Sequence, residues 1–151
     1  MLNYLKFHNK IIITIEDSSR ELDSKLYLAR KIIKNKSNLE IVFLPNWFFT
    51  PLYKIGFFSD CLIIFKSMHP GFENWVIQNK RNNILHLLDE EGIAIVDNWF
   101  FDNKVQGKLQ KPFDLILCSS KSELRVRKKN IDNEKKLLCM QNIRLFLASK
   151  V

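Results

Sequence analysis

The sequence contains few glycines, and they are widely separated. Four glycines occur among 151 residues, at positions 56, 71, 92 and 107. A dinucleotide-binding G-x-G-x-x-G loop and a Walker-type phosphate loop both require glycines at close, fixed spacing. The sequence therefore excludes ordinary dinucleotide-binding and P-loop chemistry at the level of the motif.

Cysteines are also scarce, and long apolar runs are missing. The three cysteines, Cys61, Cys118 and Cys139, have no C-x-x-C spacing, and two of them lie in apolar runs typical of strands. This pattern predicts reduced, buried thiols rather than a disulfide or a zinc site. No run approaches the roughly 18 apolar residues of a membrane helix, and no secretory signal is recognisable. We therefore expect a cytoplasmic protein, with peripheral contact at the inner face of the cytoplasmic membrane as its closest association with lipid.

The charge is uneven along the chain. There are 24 basic and 16 acidic residues, a net charge of +8, and residues 121–151 hold 9 of the basic and 3 of the acidic ones. The excess is local, so a nucleic-acid partner is not indicated. The basic stretch 125–129 is interpreted as a solvated helix end, with a phosphate, lipid or RNA contact as the alternative. Apolar residues make up 46%, which predicts one folded domain.

Short apolar segments alternate with amphipathic ones. The pattern predicts strands at 11–15, 39–44, 61–65, 84–88, 113–118 and 136–140. It predicts helices starting at Ser19 and near Ser120 or Ser122, helices at 71–79 and 143–150, and a short helix within 46–58 interrupted at Pro51. The fold class is therefore α/β, a Rossmann-like doubly wound, mostly parallel sheet of about six strands with helices on both faces.

Polar residues follow several of the predicted strands. They are Glu16 and Asp17, residues 66–69, the acids Asp89, Glu90 and Glu91, and residues 119–121. The carboxyl ends of parallel strands share one edge, where ligands bind in such sheets. One of the three consecutive acids is a candidate general base, and a solvated, helix-capping loop is the simpler alternative. His69 is a candidate for contact with a phosphate or sugar hydroxyl, or else a loop residue.

Two aromatic triplets, at 47–49 and 99–101, have two interpretations. Packing of helices against the sheet is the simpler one, and a membrane-surface or sugar-stacking face is the other.

Several segments together resemble a known family. In order, they are Ile15-Glu16, residues 20–26 with Leu28-Ala29, Lys66-Ser67, and residues 88–92. They match the patterns E-x-x-x-R-E-L-D-x-K-L-x-L-A, K-S and L-D-E-E-G. The chain thus resembles the N-terminal half of bacterial surface-carbohydrate-biosynthesis proteins with a GT-B glycosyltransferase-like fold. Residues 140–147 resemble that family's T-G-N-P-R-x-D-L-L stretch, with Asn142 and Arg144 kept but Gln141, Ile143 and Phe146 replacing its Gly, Pro and Asp.

The resemblance implies transfer of a sugar during lipopolysaccharide or capsule synthesis. It makes Glu90 or Glu91 the base that deprotonates the acceptor hydroxyl. The remaining candidate substrate-binding or ion-pair residues are Glu16, Arg20, Lys66, Ser67, His69, Asp89, Asn142 and Arg144. No metal or cofactor is expected.

The resemblance also concerns the partners of the chain. It extends to the end of the family's first, acceptor-side domain, so we expect the nucleotide-sugar donor to need a second domain that is absent here. The partners implied are a chain carrying that domain, a glycan or lipid-linked acceptor, and a membrane surface. We therefore expect a truncated or split enzyme that is inactive alone. The alternative is a non-catalytic binding module for a protein, a glycan or an anionic surface.

Overall fold

The described residues form an α/β layer structure around one sheet. The computed structural model describes residues 9–35, 38–66, 73–88, 110–129 and 137–139. The strands are β1 Lys10–Ile15, β2 Glu40–Pro45, β3 Leu62–Phe65, β4 Ile84–Leu88, β5 Leu115–Cys118 and β6 Leu137–Cys139. The helices within these ranges are α1 Ser18–Asn35, α2 Asn46–Lys54, α3 Glu73–Gln78 and α4 Lys121–Lys129.

All six strands are parallel, in the order β2-β1-β3-β4-β5-β6. The predicted Rossmann-like α/β fold is thereby confirmed, and each predicted strand agrees with the observed one to within two residues. The four inner strands, β1, β3, β4 and β5, are short and buried on both faces, which is typical of parallel sheets covered by helices. The edge strands β2 and β6 are partly exposed. Because β2 lies on one side of β1 and β3 on the other, the chain reverses its winding direction between β1 and β3.

Helices cover both faces of the sheet. Alternate residues of the strands divide the core into two clusters, one against α1 and the other against α2 and α3. Ile11 and Ile13 of β1 face the α1 side, where they pack with Leu28 and Ile32. The second cluster is aromatic, with Phe49 stacked on Phe58 at 5.3 Å between ring centroids. These two apolar layers hold the carboxyl edge of the sheet in place.

Helix α1 buries only part of the stripe that its apolar residues predict. The helical spacing of Leu22, Leu26, Ala29, Ile32 and Ile33 predicts that all five face the core. Ala29 and Ile32 are buried, but Leu22, Leu26 and Ile33 are 37%, 47% and 45% exposed. The buried positions of the first half of the helix are instead polar: Glu21, Ser24 and Lys25. They continue the stripe of Leu28 and Ile32 at helical spacing. The helix therefore turns charged groups toward the end of the sheet.

Helix α2 runs through Pro51 and ends at Lys54, so the predicted interruption is wrong. Phe49 and Tyr53, one turn apart on either side of Pro51, are both 1% exposed. Their packing holds the two parts of the helix against the same core. This stabilisation outweighs the loss of the backbone hydrogen bond that proline, which has no N–H, cannot make. Core packing of the aromatic triplet holds for Phe49 only, because Trp47 and Phe48 are 78% and 46% exposed on the outer side of the helix.

The cysteines are not all buried. Cys61 and Cys118 are buried free thiols, as expected from their apolar strands, whereas Cys139 on the last strand is exposed. Burial raises the pKa of Cys118 to about 12.

Candidate functional site

The candidate site lies at the carboxyl edge of the sheet, where β1 and β3 separate. The β1–β2 ladder extends to Ile15 opposite Pro45, but the β1–β3 ladder ends with Ile13 opposite Ile64. Beyond that point Glu16 follows β1 and Lys66 follows β3. Crevices at such a reversal of winding are where open α/β sheets bind ligands.

Lys66 is a buried cation held by two carboxylates. Its side chain is 2% exposed, and its ammonium lies 3.0 Å from Oε1 of Glu21. It also donates a hydrogen bond to Oε2 of Glu16. Glu21 is 1% exposed and Glu16 is 44% exposed, so one carboxylate is internal and the other reaches solvent. A buried charge requires such pairing, because desolvation without a partner is costly.

Glu21 joins the helix to the strand that precedes it. Its two carboxylate oxygens accept hydrogen bonds from the backbone N–H groups of Glu16 and Asp17, each at 3.2 Å. A carboxylate is also favoured here by the positive end of the α1 dipole. Glu21 therefore fixes the backbone of the strand-to-helix turn and at the same time neutralises Lys66.

Asp17 is the N-cap of α1, which begins at Ser18, one residue before the predicted start at Ser19. Its carbonyl accepts a hydrogen bond from Glu21 N at 3.0 Å, and its Oδ1 accepts one from Ser19 N at 2.9 Å. Its other carboxylate oxygen pairs with Nε of Arg20 at 2.8 Å. The hydrogen bonds from Ser19 and then Arg20 lower the pKa of Asp17 below its usual value. Arg20, a candidate substrate or ion-pair residue, is thus engaged in an exposed ion pair with Asp17.

The hydroxyl of Thr14 bridges the two strands where they part. Thr14 is 1% exposed; its Oγ1 donates to the carbonyl of Ile64 at 3.3 Å and accepts from the N–H of Lys66 at 3.2 Å. The Thr14 side chain thus replaces the backbone ladder at this position. It supplies hydrogen bonds to the carbonyl of Ile64 and the N–H of Lys66, which would lack partners where the strands separate. We name residues 14–21 with Lys66 the first junction.

A second strand-to-helix junction uses similar chemistry at the end of β5. Glu123 in the first turn of α4 accepts hydrogen bonds from N and Oγ of Ser119, both at 2.8 Å. Its other oxygen pairs with Nε of Arg127 at 2.7 Å, and both side chains are nearly fully buried. Ser120 caps the helix by accepting from Glu123 N at 3.1 Å. We name residues 119–127 the second junction.

The basic stretch at the end of α4 is divided by these contacts. Arg125, Lys128 and Lys129 are exposed, as the interpretation as a solvated helix end expects, but Arg127 is 1% exposed. Arg127 lies one turn after the buried Glu123 and points inward to pair with it.

The structure brings together two of the predicted site residues, Glu16 and Lys66. It places Arg20 on α1, paired with Asp17. The other predicted site residues lie outside the described ranges: Ser67, His69, Asp89, Glu90, Glu91, Asn142 and Arg144. The aromatic triplet 99–101 and the predicted helix 143–150 also lie outside them.

Sequence reasoning missed Glu21 and Thr14 as parts of the site. A signal for the pairing was present, since Lys66 continues the alternation of Leu62 and Ile64 and so points to the face covered by α1. Glu21 lies on the stripe of α1 that packs on the same face.

The arrangement can bind a polar ligand through Glu16. Lys66 and Glu21 are internal and occupied with one another, whereas the half-exposed Glu16 carboxylate has room to accept hydrogen bonds from hydroxyl or amine donors. Within the ranges that the structure describes, no group of three His, Cys, Asp or Glu side chains could hold a metal ion.

His86 is a core residue rather than part of this edge. It lies on β4 and is fully buried, and desolvation lowers its pKa to about 4 in spite of the opposing charge of Asp114. The neutral imidazole is therefore the form present at physiological pH.

Comparison with protein-family models, curated proteins and solved structures finds no match to this chain. Among the helices of the described residues, none has the length and apolar character to cross a bilayer.

Proposed function

We propose that this chain is the acceptor-side domain of a GT-B-like glycosyltransferase of bacterial surface-polysaccharide synthesis. One observation carries the proposal: a half-exposed carboxylate, Glu16, is held by the buried Lys66 in the crevice between β1 and β3. Carboxylates fixed in this way are suitable acceptors for the hydroxyl groups of a sugar. The resemblance of residues 15–29, 66–67 and 88–92 to the family supplies the reaction class.

The residues have different roles in this proposal. Glu16 binds an acceptor hydroxyl, while Lys66 and Glu21 are positioning residues that hold its carboxylate. Glu90 or Glu91 is the base that removes the proton from the attacking hydroxyl, and Ser67, His69, Asp89, Asn142 and Arg144 contact substrate. In this proposal the departing phosphate of the donor is bound by a second Rossmann-like domain.

Sugar binding tests the proposal directly. We would titrate the ¹⁵N-labelled chain with soluble monosaccharides and disaccharides and follow its amide resonances. The expected result is saturable shifts centred on residues 14–21 and 66, with at least ten-fold weaker binding in Glu16→Gln, because a hydrogen bond to a charged group contributes about 1.5–3 kcal/mol. Asp23→Asn, an exposed carboxylate on α1, is the matched control. Shifts that are unchanged in Glu16→Gln would contradict the proposal.

Catalysis requires a second experiment. The chain would be mixed with a candidate donor-domain partner and a radiolabelled nucleotide-sugar, and transfer would be measured with Glu90→Gln and Glu91→Gln. Loss of transfer in one of these variants is expected. Full activity in both variants would refute the assignment of the base.

A non-catalytic binding module is the second candidate. The observation favouring it is the exposed apolar surface of α2, since large exposed apolar patches mark interaction sites. Sugar transfer that depends on this chain would exclude a purely non-catalytic role.

A further inference from the structure

Helix α2 and the turn after it expose four large apolar side chains. Trp47, Phe48, Ile55 and Phe57 are 78%, 46%, 73% and 68% exposed. Phe48 lies one turn before Leu52, which is followed by Ile55 on the same stripe at helical spacing. Trp47 joins this stripe through an edge contact with Phe48, with ring centroids 5.7 Å apart. We name these four residues the aromatic face.

The aromatic face is presented by a fixed segment of backbone. On the inner side of α2, Phe49 and Tyr53 are buried, and the Tyr53 hydroxyl donates to the carbonyl of Val76 at 3.0 Å. After the helix, Gly56 N donates to Tyr53 O at 2.9 Å and Phe57 N donates to Leu52 O at 3.0 Å. The exposed side chains therefore lose little backbone freedom when a partner covers them.

A cavity continues this apolar surface inward. It has a volume of about 660 Å³ and lies between α2 and the first two strands, with Phe48 and Phe57 in its wall together with Ile12 and Val42. Volumes of roughly 300–1,000 Å³ are typical of small-molecule sites. The aromatic face thus borders an apolar space wide enough for a hydrocarbon chain.

Basic groups lie within the same surface. Lys54 is next to Ile55, with its ammonium 5.3 Å from the centroid of the Trp75 ring. Gly56 has a φ of +71°, and the guanidinium of Arg81 occupies the space where a Cβ of residue 56 would lie. Arg81 is therefore packed over the turn between Ile55 and Phe57, a position that glycine makes available.

The acidic groups near this surface do not offset the bases. Glu40 at the edge of the cavity is paired with Lys10 at 3.3 Å, and Asp60 follows the turn. Residues 121–151 carry six of the eight net positive charges, so the attraction at this surface comes from Lys54 and Arg81 themselves. Exposed aromatic side chains next to lysine and arginine complement the headgroup region of an anionic bilayer, where aromatics are favoured and each basic residue adds attraction.

We propose that the aromatic face docks this protein on an anionic membrane surface. Trp47, Ile55 and Phe57 enter the boundary between headgroups and acyl chains, while Lys54 and Arg81 pair with lipid phosphates. The cavity behind Phe48 and Phe57 accommodates part of an acyl chain. This inference goes beyond the proposed function and does not rest on it, because sugar binding at Glu16 and lipid binding at α2 are measured separately.

Vesicle co-sedimentation tests the proposal. The full chain would be mixed with vesicles of phosphatidylcholine alone or with one-third phosphatidylglycerol. We expect binding to the anionic vesicles that weakens with added salt, because the lipid charge is screened. Tryptophan emission should shift to shorter wavelength on binding, and Trp47→Phe should remove most of that shift.

Variants locate the contact. The double variant Trp47→Ala, Phe57→Ala is expected to bind anionic vesicles at least ten-fold more weakly, and Lys54→Gln with Arg81→Gln to bind several-fold more weakly. The matched controls are Ile33→Ala and Lys34→Gln, an apolar and a basic residue exposed on α1, and they should bind like the parent chain. Circular dichroism and the thermal midpoint of each variant show whether it is folded.

Three results would overturn the proposal. One is equal binding by the aromatic-face variants and the parent. Another is binding that is lost instead in Lys128→Gln with Lys129→Gln, which would assign it to α4. The last is a parent chain that does not bind vesicles and that light scattering, without lipid, shows to be a dimer, when Trp47→Ala is a monomer. That result would make the aromatic face a protein interface.

Discussion

The two strand-to-helix junctions hold their helices with the same device and differ in where the cation comes from. At each junction, a buried glutamate in the first turn of the helix accepts hydrogen bonds from backbone N–H groups just after the preceding strand. There are two such groups at the first junction and one at the second. At the second junction, the cation Arg127 is one turn further along the same helix. At the first junction, the cation Lys66 comes from the end of a different strand, β3.

This difference separates a local element from a site. The Glu123–Arg127 pair can form as soon as α4 forms, and it stabilises one helix. The Glu21–Lys66 pair forms only when β1 and β3 are side by side, so it ties together the two strands between which the winding reverses. It also includes a third charged group, Glu16, that reaches solvent. The non-local junction is therefore the one with the means to bind a ligand.

Removing Lys66 should produce the largest effect. Lys66→Met leaves the carboxylate of Glu21 buried without this cation, which typically costs about 3–5 kcal/mol of unfolding free energy. Urea unfolding followed by circular dichroism measures it, with Lys34→Met on the exposed side of α1 as control. Adding Glu21→Gln should restore part of the loss. A change below about 1 kcal/mol would mean that the first junction is not held by this pair.

Any pH experiment on the two junctions must distinguish their effect on stability from that of a buried histidine between them. His86 lies on β4, and its pKa of about 4 is below the ordinary value of 6.5. As the pH is lowered, His86 is therefore protonated in the unfolded chain before it is protonated in the folded one. The free energy of unfolding falls by about 3 kcal/mol in all as the pH drops from about 6.5 to about 4. His86→Phe should flatten this part of the pH profile in urea unfolding. An unchanged profile would show that His86 does not titrate in this range.

Removing the local cation should have a smaller effect than removing the non-local one. Arg127→Met leaves one carboxylate, Glu123, without its cation, whereas Lys66→Met leaves two, Glu16 and Glu21. We therefore expect a smaller loss, of about 1.5–3 kcal/mol, the range for hydrogen bonds to charged groups. The same urea measurement applies, with exposed Arg125→Met as control. If Arg127→Met destabilised the protein more than Lys66→Met, the two junctions would have to be ranked the other way.

The helix caps should have the smallest effects. Ser120→Ala removes the cap of α4 and should cost about 1 kcal/mol. At the first junction, Asp17→Asn should lower the thermal midpoint slightly at neutral pH. Since the pKa of Asp17 is lowered in the folded protein, this stabilisation is present above its usual value of 3.8 and is lost as the pH falls through the native pKa. Thermal unfolding at a series of pH values from about 7 downward should show the difference between the parent and Asp17→Asn becoming smaller once the pH is below 3.8.

The sheet could be predicted from the sequence because its signal is local. Runs such as residues 11–15 and 84–88 are short, apolar and bounded by polar residues, which is sufficient to identify buried strands. Topology then brought Glu16 and Lys66 to the same edge, as predicted.

Burial within α1 and α2 could not be predicted in the same way. The apolar period of α1 predicts that Leu22 and Leu26 lie inside, whereas the structure buries Glu21, which pairs with Lys66. In α2 the triplet 47–49 divides between core and surface, since one face of a nine-residue helix cannot bury three consecutive residues. Both outcomes depend on contacts between distant segments, which a pattern within one segment does not contain.

The hydroxyl of Thr14 gives the crevice a width that does not depend on a ligand. The hydroxyl is hydrogen-bonded to the backbone of both Ile64 and Lys66, so the Thr14 side chain spans the gap between β1 and β3. A ligand that binds the exposed Glu16 carboxylate therefore has no strand contact to break, so its association should be limited by diffusion and orientation rather than by rearrangement.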